Sequence, residues 1–202
     1  MATKAAIDNS PLQALWRAGI LGKLPDLFKS ILVPQSVADE TRWSLALIGP
    51  ERVPNLKEHR WIHIESVQEA VLRASMVPLF KSFQRRRRGA KADTRRPEVA
   101  LKDGRVIAWT EPNHEQNQLT HKIPDLEVVL LAQSASGIAI LDDRKALRAA
   151  EDLGIRTATT REVVDAMAKR GLIADAETAI KKMKATNYHP YVRVTNAWDG
   201  TS

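Results

Sequence analysis

The chain has 202 residues, 44% of them hydrophobic, which is enough to bury the core of one domain. It contains no cysteine, which excludes disulfide scaffolds and thiolate zinc sites and favours a reducing compartment. No apolar run approaches the length of a membrane span. We therefore expect a cytoplasmic protein that does not enter a membrane.

Short apolar runs alternate with helical patterns along most of the chain. The predicted strands are residues 4–7, 30–33, 61–64, 137–141 and 155–158. Continuous apolar strands are typical of a parallel sheet that helices cover on both faces. The pattern therefore predicts an α/β fold with a central parallel sheet.

Helix-start signals follow three of these strands. Ser10 and Pro11 are typical of an N-cap and a first helical residue, and Pro34 is expected to open the next helix. Thr160 is expected to begin a third helix, which Gly171 closes. One further helical stripe, expected to face the core, consists of Leu126, Val129, Leu130 and Gln133.

Residues 66–120 interrupt the alternation of strands and helices. We predict that they are an insertion within a single domain spanning residues 1–202, and that residues 186–202 form a C-terminal tail. The insertion is predicted to begin with an amphipathic helix over residues 66–83. It is predicted to end with a hairpin over residues 98–109, because Asp103-Gly104 suits the turn between two apolar runs.

A basic arm lies between these two parts of the insertion, at residues 81–96. It contains eight lysine and arginine residues and one aspartate, so it accounts for the whole net charge of +7. Its four consecutive arginines, which cannot be buried without partners, are Arg85, Arg86, Arg87 and Arg88. We predict that the arm binds a nucleic-acid backbone, with a merely solubilising loop as the alternative.

Carboxylates occur where apolar runs end or helices begin: at Asp8, Asp39-Glu40, Asp125 with Glu127, and Asp142-Asp143. Residues beyond the carboxyl ends of parallel strands converge on one crevice, and clustered carboxylates repel one another unless a divalent cation neutralises them. Taken singly, each position is typical of a helix cap or a surface acid. Taken together, they favour an acidic metal pocket that acts on phosphates.

The opening of the chain resembles that of PIN-domain ribonucleases, in which a strand ends in an aspartate and a small hydroxyl residue follows. Here these residues are Asp8 and Ser10. Later segments that resemble the family are residues 31–34, 37–40, 126–132 and 140–155. Residues 168–173 resemble the closing segment of a prokaryotic subfamily that includes relatives of toxin–antitoxin nucleases. The resemblance covers residues 4–43 and 123–184, and it implies a three-layer α/β/α PIN-like fold with the basic segment inserted.

The resemblance also implies hydrolysis of RNA phosphodiesters, with Mg²⁺ or Mn²⁺ as the cofactor. Carried over to this chain, the acidic set is Asp8, Glu40, Asp125 and Asp143. Asp8 and Asp143 are expected to be direct metal ligands, and Asp125 is expected to be a ligand or an outer-shell acceptor. Glu40 is expected to orient the attacking water, and Ser10 to contact a phosphate or a ligand carboxylate.

Two positions in this set have alternatives. Relatives usually have Gly-Glu where this chain has Pro124-Asp125, so Glu127 is a substitute for Asp125. Asp142 is a substitute for Asp143, although Asp143 better fits the position just before a helix.

We therefore predict a metal-dependent endoribonuclease, either a housekeeping enzyme or the toxin of a toxin–antitoxin pair with an antitoxin protein as partner. One alternative is a catalytically inactive PIN-like module that binds nucleic acid through the basic arm. Another is an interaction protein whose arm binds an acidic partner. The sequence leaves the RNA target and the oligomeric state open, and a homodimer is one alternative.

Overall fold

The structure, a computed structural model, describes residues 3–67, 98–102, 105–109 and 123–193. The strands are β1 (Ala5–Ile7), β2 (Ile31–Pro34), β3 (Ile62–Glu65), β4 (Glu98–Lys102), β5 (Arg105–Trp109), β6 (Ile138–Ile140) and β7 (Arg156–Ala158). The helices are α1 (Asn9–Arg17), α2 (Leu24–Leu27), α3 (Gln35–Ile48), α4 (Ile123–Ser134), α5 (Arg144–Asp152), α6 (Thr160–Lys169) and α7 (Ala176–Ala185). None of these helices in the described ranges is long and apolar enough to cross a membrane.

Five strands form one parallel sheet with the order β3-β2-β1-β6-β7. All residues of the central strands β1 and β6 are at most 1% exposed, because helices flank the sheet. The predicted α/β fold with a central parallel sheet is therefore confirmed as a three-layer α/β/α arrangement. The five predicted strands are the strands of this sheet, with ends that differ by about a residue.

The strand order reverses between β1 and β6, since the chain runs outwards from β1 through β2 to β3 and then returns to β6 on the other side. Ile7 pairs with Ile140, and the N–H of Asp8 donates to the carbonyl of Ile140 at 3.2 Å. The segments that follow β1 and β6 therefore start side by side at the carboxyl edge of the sheet. In open α/β sheets, such a reversal creates the crevice in which ligands bind.

The middle of the helix α4, residues 128–132, is buried on all sides. The helix packs on β1, β2 and β6 and against α3 and α5. The predicted stripe was incomplete, since Val128 and Leu131 are also buried, and wrong at Gln133, which is exposed. The five consecutive residues 128–132 are buried on every side of the helix, so this part of the sequence lacks the polar positions that define a stripe.

The predicted hairpin is confirmed in the described strands β4 and β5. They pair antiparallel from Glu98 with Trp109 to Lys102 with Arg105. The predicted turn residues, most of the predicted helix over residues 66–83 and the basic arm lie outside the described residues. The division into a domain, an insertion and a tail stays a prediction.

A glycine between α4 and β6 allows β1 and β6 to approach each other. A Cβ atom at Gly137 would lie 2.6 Å from the carbonyl oxygen of Lys4, which also accepts a hydrogen bond from Ile138 at 3.1 Å. Because this backbone group is held in the sheet, we expect Gly137→Ala to lower the free energy of unfolding by about 1–3 kcal/mol. Urea denaturation measures the change.

The matched control is Gly22→Ala, since a Cβ atom at Gly22 would have no neighbour within 4 Å. We expect this variant to remain close to the wild type in stability. Equal stability of the two variants would contradict a close approach at Gly137.

Candidate active site

Asp8 directly follows the central strand and caps the helix α1. Its Oδ2 accepts a hydrogen bond from the N–H of Ser10 at 3.4 Å, and the helix begins at Asn9. The prediction of Ser10 as the N-cap is therefore wrong by two residues, because the carboxylate that ends the strand also satisfies the first turn of the helix. Ser10 itself lies exposed in that turn.

The side chain of Asp8 is half-buried, and its electrostatic surroundings are acidic. Burial raises the pKa of Asp8 from 3.8 to about 6, against the opposing effect of hydrogen bonds from the backbone of Asn9 and Ser10. The negative charges of Glu40 and Asp142 raise this pKa further. Asp8 therefore lies within electrostatic reach of both Glu40 and Asp142, at the carboxyl edge of the sheet.

Glu40 lies exposed on α3, and the neighbouring residue Thr41 ties this helix to α1. The hydroxyl of Thr41 lies 3.0 Å from Oδ1 of Asn9, which is 6% exposed and also accepts a hydrogen bond from Gln13 at 2.9 Å. Asn9 and Thr41 are the chain neighbours of Asp8 and Glu40. This buried contact therefore fixes the two helices that carry these carboxylates, a role that the sequence analysis missed.

Asp142 lies two residues beyond β6 and accepts hydrogen bonds from two other parts of the chain. The N–H of Thr160 donates to its Oδ1 at 2.9 Å, and the Thr160 hydroxyl donates to its Oδ2 at 2.7 Å. The hydroxyl of Tyr188 also donates to Oδ2. Burial nevertheless raises the pKa of Asp142 to about 6, although the backbone of Tyr191 lowers it. These three donors use both oxygens of the carboxylate and most of its roughly four acceptor positions.

Asp143 is the N-cap of α5. Its Oδ1 accepts hydrogen bonds from the N–H groups of Lys145 at 2.8 Å and Ala146 at 2.9 Å. The two consecutive aspartates therefore have different partners: Asp142 joins β6 to α6 and the C-terminal segment, whereas Asp143 begins the helix that follows.

Of the two acidic candidates on α4, Asp125 is buried and Glu127 is half-buried. Asp125 lies in the first turn and is 9% exposed. Glu127 accepts a hydrogen bond from the hydroxyl of Ser36 at the start of α3. Burial raises the pKa of Glu127, hydrogen bonds from Ser36 lower it, and the charge of Asp39 raises it. Glu127 therefore interacts with the first turns of α3. The predicted substrate-binding residues Arg85, Arg86, Arg87 and Arg88 lie outside the described residues.

Comparison with protein families identifies the family of the chain that carries this site. The sequence model of the DUF3368 family, described as a PIN domain, matches residues 4–79 and 86–197. The chain belongs to this PIN-domain family. The resemblance to the PIN-domain family is thereby confirmed, and the match also extends over much of the segment from residue 66 to residue 120. No curated protein matches the chain.

PIN domains are generally nucleases and typically use divalent metals, so we tested whether the acidic residues fit such an ion. In the described part of this PIN domain, no three His, Cys, Asp or Glu side chains stand together as a ready metal site. The oxygens around Asp8 are nevertheless of the type that Mg²⁺ prefers, and Mg²⁺ is commonly bound by one or two carboxylates together with waters and substrate phosphates. The donor set therefore fits a water-rich Mg²⁺ or Mn²⁺ site rather than a closed cage.

Thr160 and Tyr188, as partners of Asp142, were also missed by the sequence analysis. Both tyrosines of the chain, at 188 and 191, lie just after α7. Two tyrosines in a short polar segment could have indicated that this segment packs against the domain. A buried tyrosine hydroxyl usually finds a hydrogen-bond partner.

The raised pKa values of Asp8 and Asp142 predict how the stability of this PIN domain depends on pH. Both values lie near 6 in the folded chain, above the reference value of 3.8. Between about pH 4 and pH 6, the folded chain therefore binds more protons at these groups than the unfolded chain does. This contribution makes the free energy of unfolding fall as the pH rises through that window, and the loss persists at higher pH.

Thermal or urea unfolding in EDTA between pH 4 and pH 7 measures this dependence. Because other carboxylates also titrate, the informative quantity is the difference between the wild type and Asp8→Asn. The variant should gain stability relative to the wild type as the pH rises. A constant difference across the window would contradict the raised pKa of Asp8.

Proposed function

We propose that this PIN domain is a divalent-metal-dependent endoribonuclease that hydrolyses RNA phosphodiesters. The observation that carries the proposal is the half-buried Asp8, which lies at the reversal of strand order and within electrostatic reach of Glu40 and Asp142. Mutually repelling carboxylates in a ligand-binding crevice gain stability when a cation binds. The nuclease-type fold of the family supports phosphate chemistry at this position.

The proposed ligands are Asp8 and Asp143, with Asp125 as a ligand or an outer-shell acceptor. Asp8 and Asp143 follow the two strands that border the crevice, and Asp143 receives both of its capping hydrogen bonds on Oδ1. When bound, a divalent cation supplies activation of water and screening of the charge that develops on the phosphate oxygens. Asp142 is proposed as an anchor rather than a ligand, because protein donors already occupy most of its acceptor positions.

Glu40 is proposed to orient the attacking water. Its side chain is exposed, so water reaches it, and the contact between Thr41 and Asn9 holds its helix beside α1. A carboxylate that accepts a hydrogen bond from a water molecule can align a lone pair of that water with the phosphorus atom. The carboxylate can also accept the proton that the water loses. Ser10, which is exposed beside Asp8, is proposed to contact a substrate phosphate.

Cleavage of labelled single-stranded RNA by the purified protein tests the proposal. We expect cleavage with Mg²⁺ or Mn²⁺, loss of cleavage in excess EDTA, and recovery when Mn²⁺ is added back, because the carboxylates need the cation. Undiminished cleavage in EDTA would show a different mechanism. If RNA binds but stays intact with every divalent metal, the result would favour a catalytically inactive nucleic-acid-binding module.

The role of a toxin in a toxin–antitoxin pair, with an antitoxin protein as partner, remains part of this proposal. It is supported by the resemblance of residues 168–173 to the closing segment of that subfamily.

A further inference from the structure

The first turns of α5 carry three exposed cationic side chains: Arg144, Lys145 and Arg148. They come directly after the Asp142-Asp143 pair, so they begin at the same edge of the sheet as the acidic site. None of the three forms an ion pair within the described residues. We call these three residues, together with Tyr191, the α5 basic surface.

The macrodipole of α5 does not explain the two charges of its first turn. Arg144 and Lys145 occupy the first turn of the helix, whereas Glu151 and Asp152 occupy the last. The helix macrodipole favours acids near the N-terminus and cations near the C-terminus, so both pairs have the unfavourable placement. Cations that oppose the dipole and lack acidic partners are available to an anionic ligand.

The C-terminal segment holds one of these cations in place. The guanidinium of Arg144 lies 4.7 Å from the centre of the Tyr191 ring. The hydroxyl of Tyr188, three residues before Tyr191, donates a hydrogen bond to Asp142. Arg193 then binds the side chains of Glu151 and Thr157, each at 2.7 Å. Contacts on both sides of Tyr191 therefore fix its ring beneath Arg144, so that little side-chain entropy is lost when Arg144 binds a ligand.

We propose that the α5 basic surface binds the phosphates of single-stranded RNA beside the acidic site. This inference rests on the proposed ribonuclease function and assigns residues that hold its substrate. The carboxylates of the site repel an RNA backbone, and adjacent cations offset that repulsion and raise the local concentration of RNA. The planar guanidinium suits phosphate oxygens, and Tyr191 is a positioning residue that orients Arg144.

The first experiment measures the binding of a fluorescent single-stranded RNA in EDTA over a series of salt concentrations. The variant replaces Arg144, Lys145 and Arg148 together with glutamine. Each phosphate contact contributes about 0.7 to the slope of log affinity against log salt concentration, so we expect weaker binding and a slope flatter by up to about 2 units. An unchanged slope would overturn the proposal.

The matched control replaces Lys181, Lys182 and Lys184, three exposed lysines of α7, with glutamine. It removes the same net charge from another helix, so we expect its slope to stay close to that of the wild type. Equal losses in the two variants would indicate a general effect of net charge and would also overturn the proposal.

The second experiment compares Tyr191→Phe with Tyr191→Ala in the same binding assay. Phenylalanine retains an aromatic face for Arg144, whereas alanine removes it. We expect near-normal affinity for Tyr191→Phe and a loss of about two- to fivefold for Tyr191→Ala, provided that the melting temperature shows both variants to be folded. Equal affinities of the two folded variants would contradict the positioning role of Tyr191.

These results are distinguishable from a failure of the ribonuclease proposal, because binding in EDTA does not require cleavage. Cleavage by the wild type with unchanged binding by the α5 variant would overturn this inference alone. Weakened binding by the α5 variant without cleavage by the wild type would support the RNA surface and leave the ribonuclease proposal wrong. If the variant loses affinity for poly-glutamate but not for RNA, the surface serves an acidic protein instead.

Discussion

Replacing Asp8 with asparagine is expected to lower RNA cleavage at least about a hundredfold and to raise the melting temperature of the metal-free protein. Changes to outer-shell partners of a metal typically cost about 10–100-fold, so a direct ligand should cost at least the upper value. The melting temperature of the metal-free variant should rise because burial and the charges of Glu40 and Asp142 disfavour the ionised form of Asp8 at neutral pH. Asparagine keeps a side-chain oxygen for the N–H of Ser10, so the cap of α1 persists.

Initial rates with Mn²⁺ and thermal melts in EDTA measure the two effects. The control is Asp26→Asn, which makes the same charge change at an exposed position of α2 and should affect neither quantity. Full activity of Asp8→Asn would contradict its role as a ligand. Lost activity together with a lower melting temperature would indicate that Asp8 supports the fold rather than the chemistry.

The central sheet could be predicted from the sequence because its signal is local. Each residue of a strand buried on both faces must be apolar, so runs such as Ile138–Ile140 are evident without knowledge of their neighbours. The helix α4 shows the limit of this reasoning. Residues 128–132 are apolar and buried on every side, so the predicted four-residue stripe was too narrow. The helices α3 and α5 that cover α4 cannot be identified from the sequence of α4 itself.

The same limit applies to the candidate site: the local sequence indicates where its residues lie but not which distant residues they contact. The position of Asp8 between a strand and a helix could be predicted because it directly follows an apolar run, whereas its role as a metal ligand stays a prediction. The choice between Asp142 and Asp143 could not be made locally, because the partners Thr160 and Tyr188 lie 18 and 46 residues from Asp142. Ser36, the partner of Glu127, lies 91 residues away in the sequence. The different surroundings of Glu127 and Asp125 therefore could not be predicted from the local sequence either.

Removing the Asp142 carboxylate should destabilise the fold far more than neutralising Asp143. The variant Asp142→Ala leaves the N–H of the fully buried Thr160 without its acceptor, and leaves the hydroxyls of Thr160 and Tyr188 with only each other as partners among the described residues, 3.1 Å apart. Each unsatisfied buried donor costs about 1–3 kcal/mol. Relief of the burial that raises the pKa of Asp142 offsets part of this cost. We therefore expect the free energy of unfolding to fall by about 2–4 kcal/mol.

Urea unfolding in EDTA measures this loss, and Asp143→Asn is the matched control. Asparagine caps a helix about as well as aspartate does, so the N–H groups of Lys145 and Ala146 keep their acceptor and stability should stay near that of the wild type. Mn²⁺ should then stabilise the wild type and Asp142→Ala by mass action, but should stabilise Asp143→Asn much less. If Mn²⁺ stabilises Asp143→Asn fully and Asp142→Ala not at all, then Asp142 is the ligand and Asp143 only a helix cap. That outcome requires the cation to displace the hydroxyl of Tyr188 from Asp142, so Tyr188→Phe should bind Mn²⁺ more tightly than the wild type only in that case.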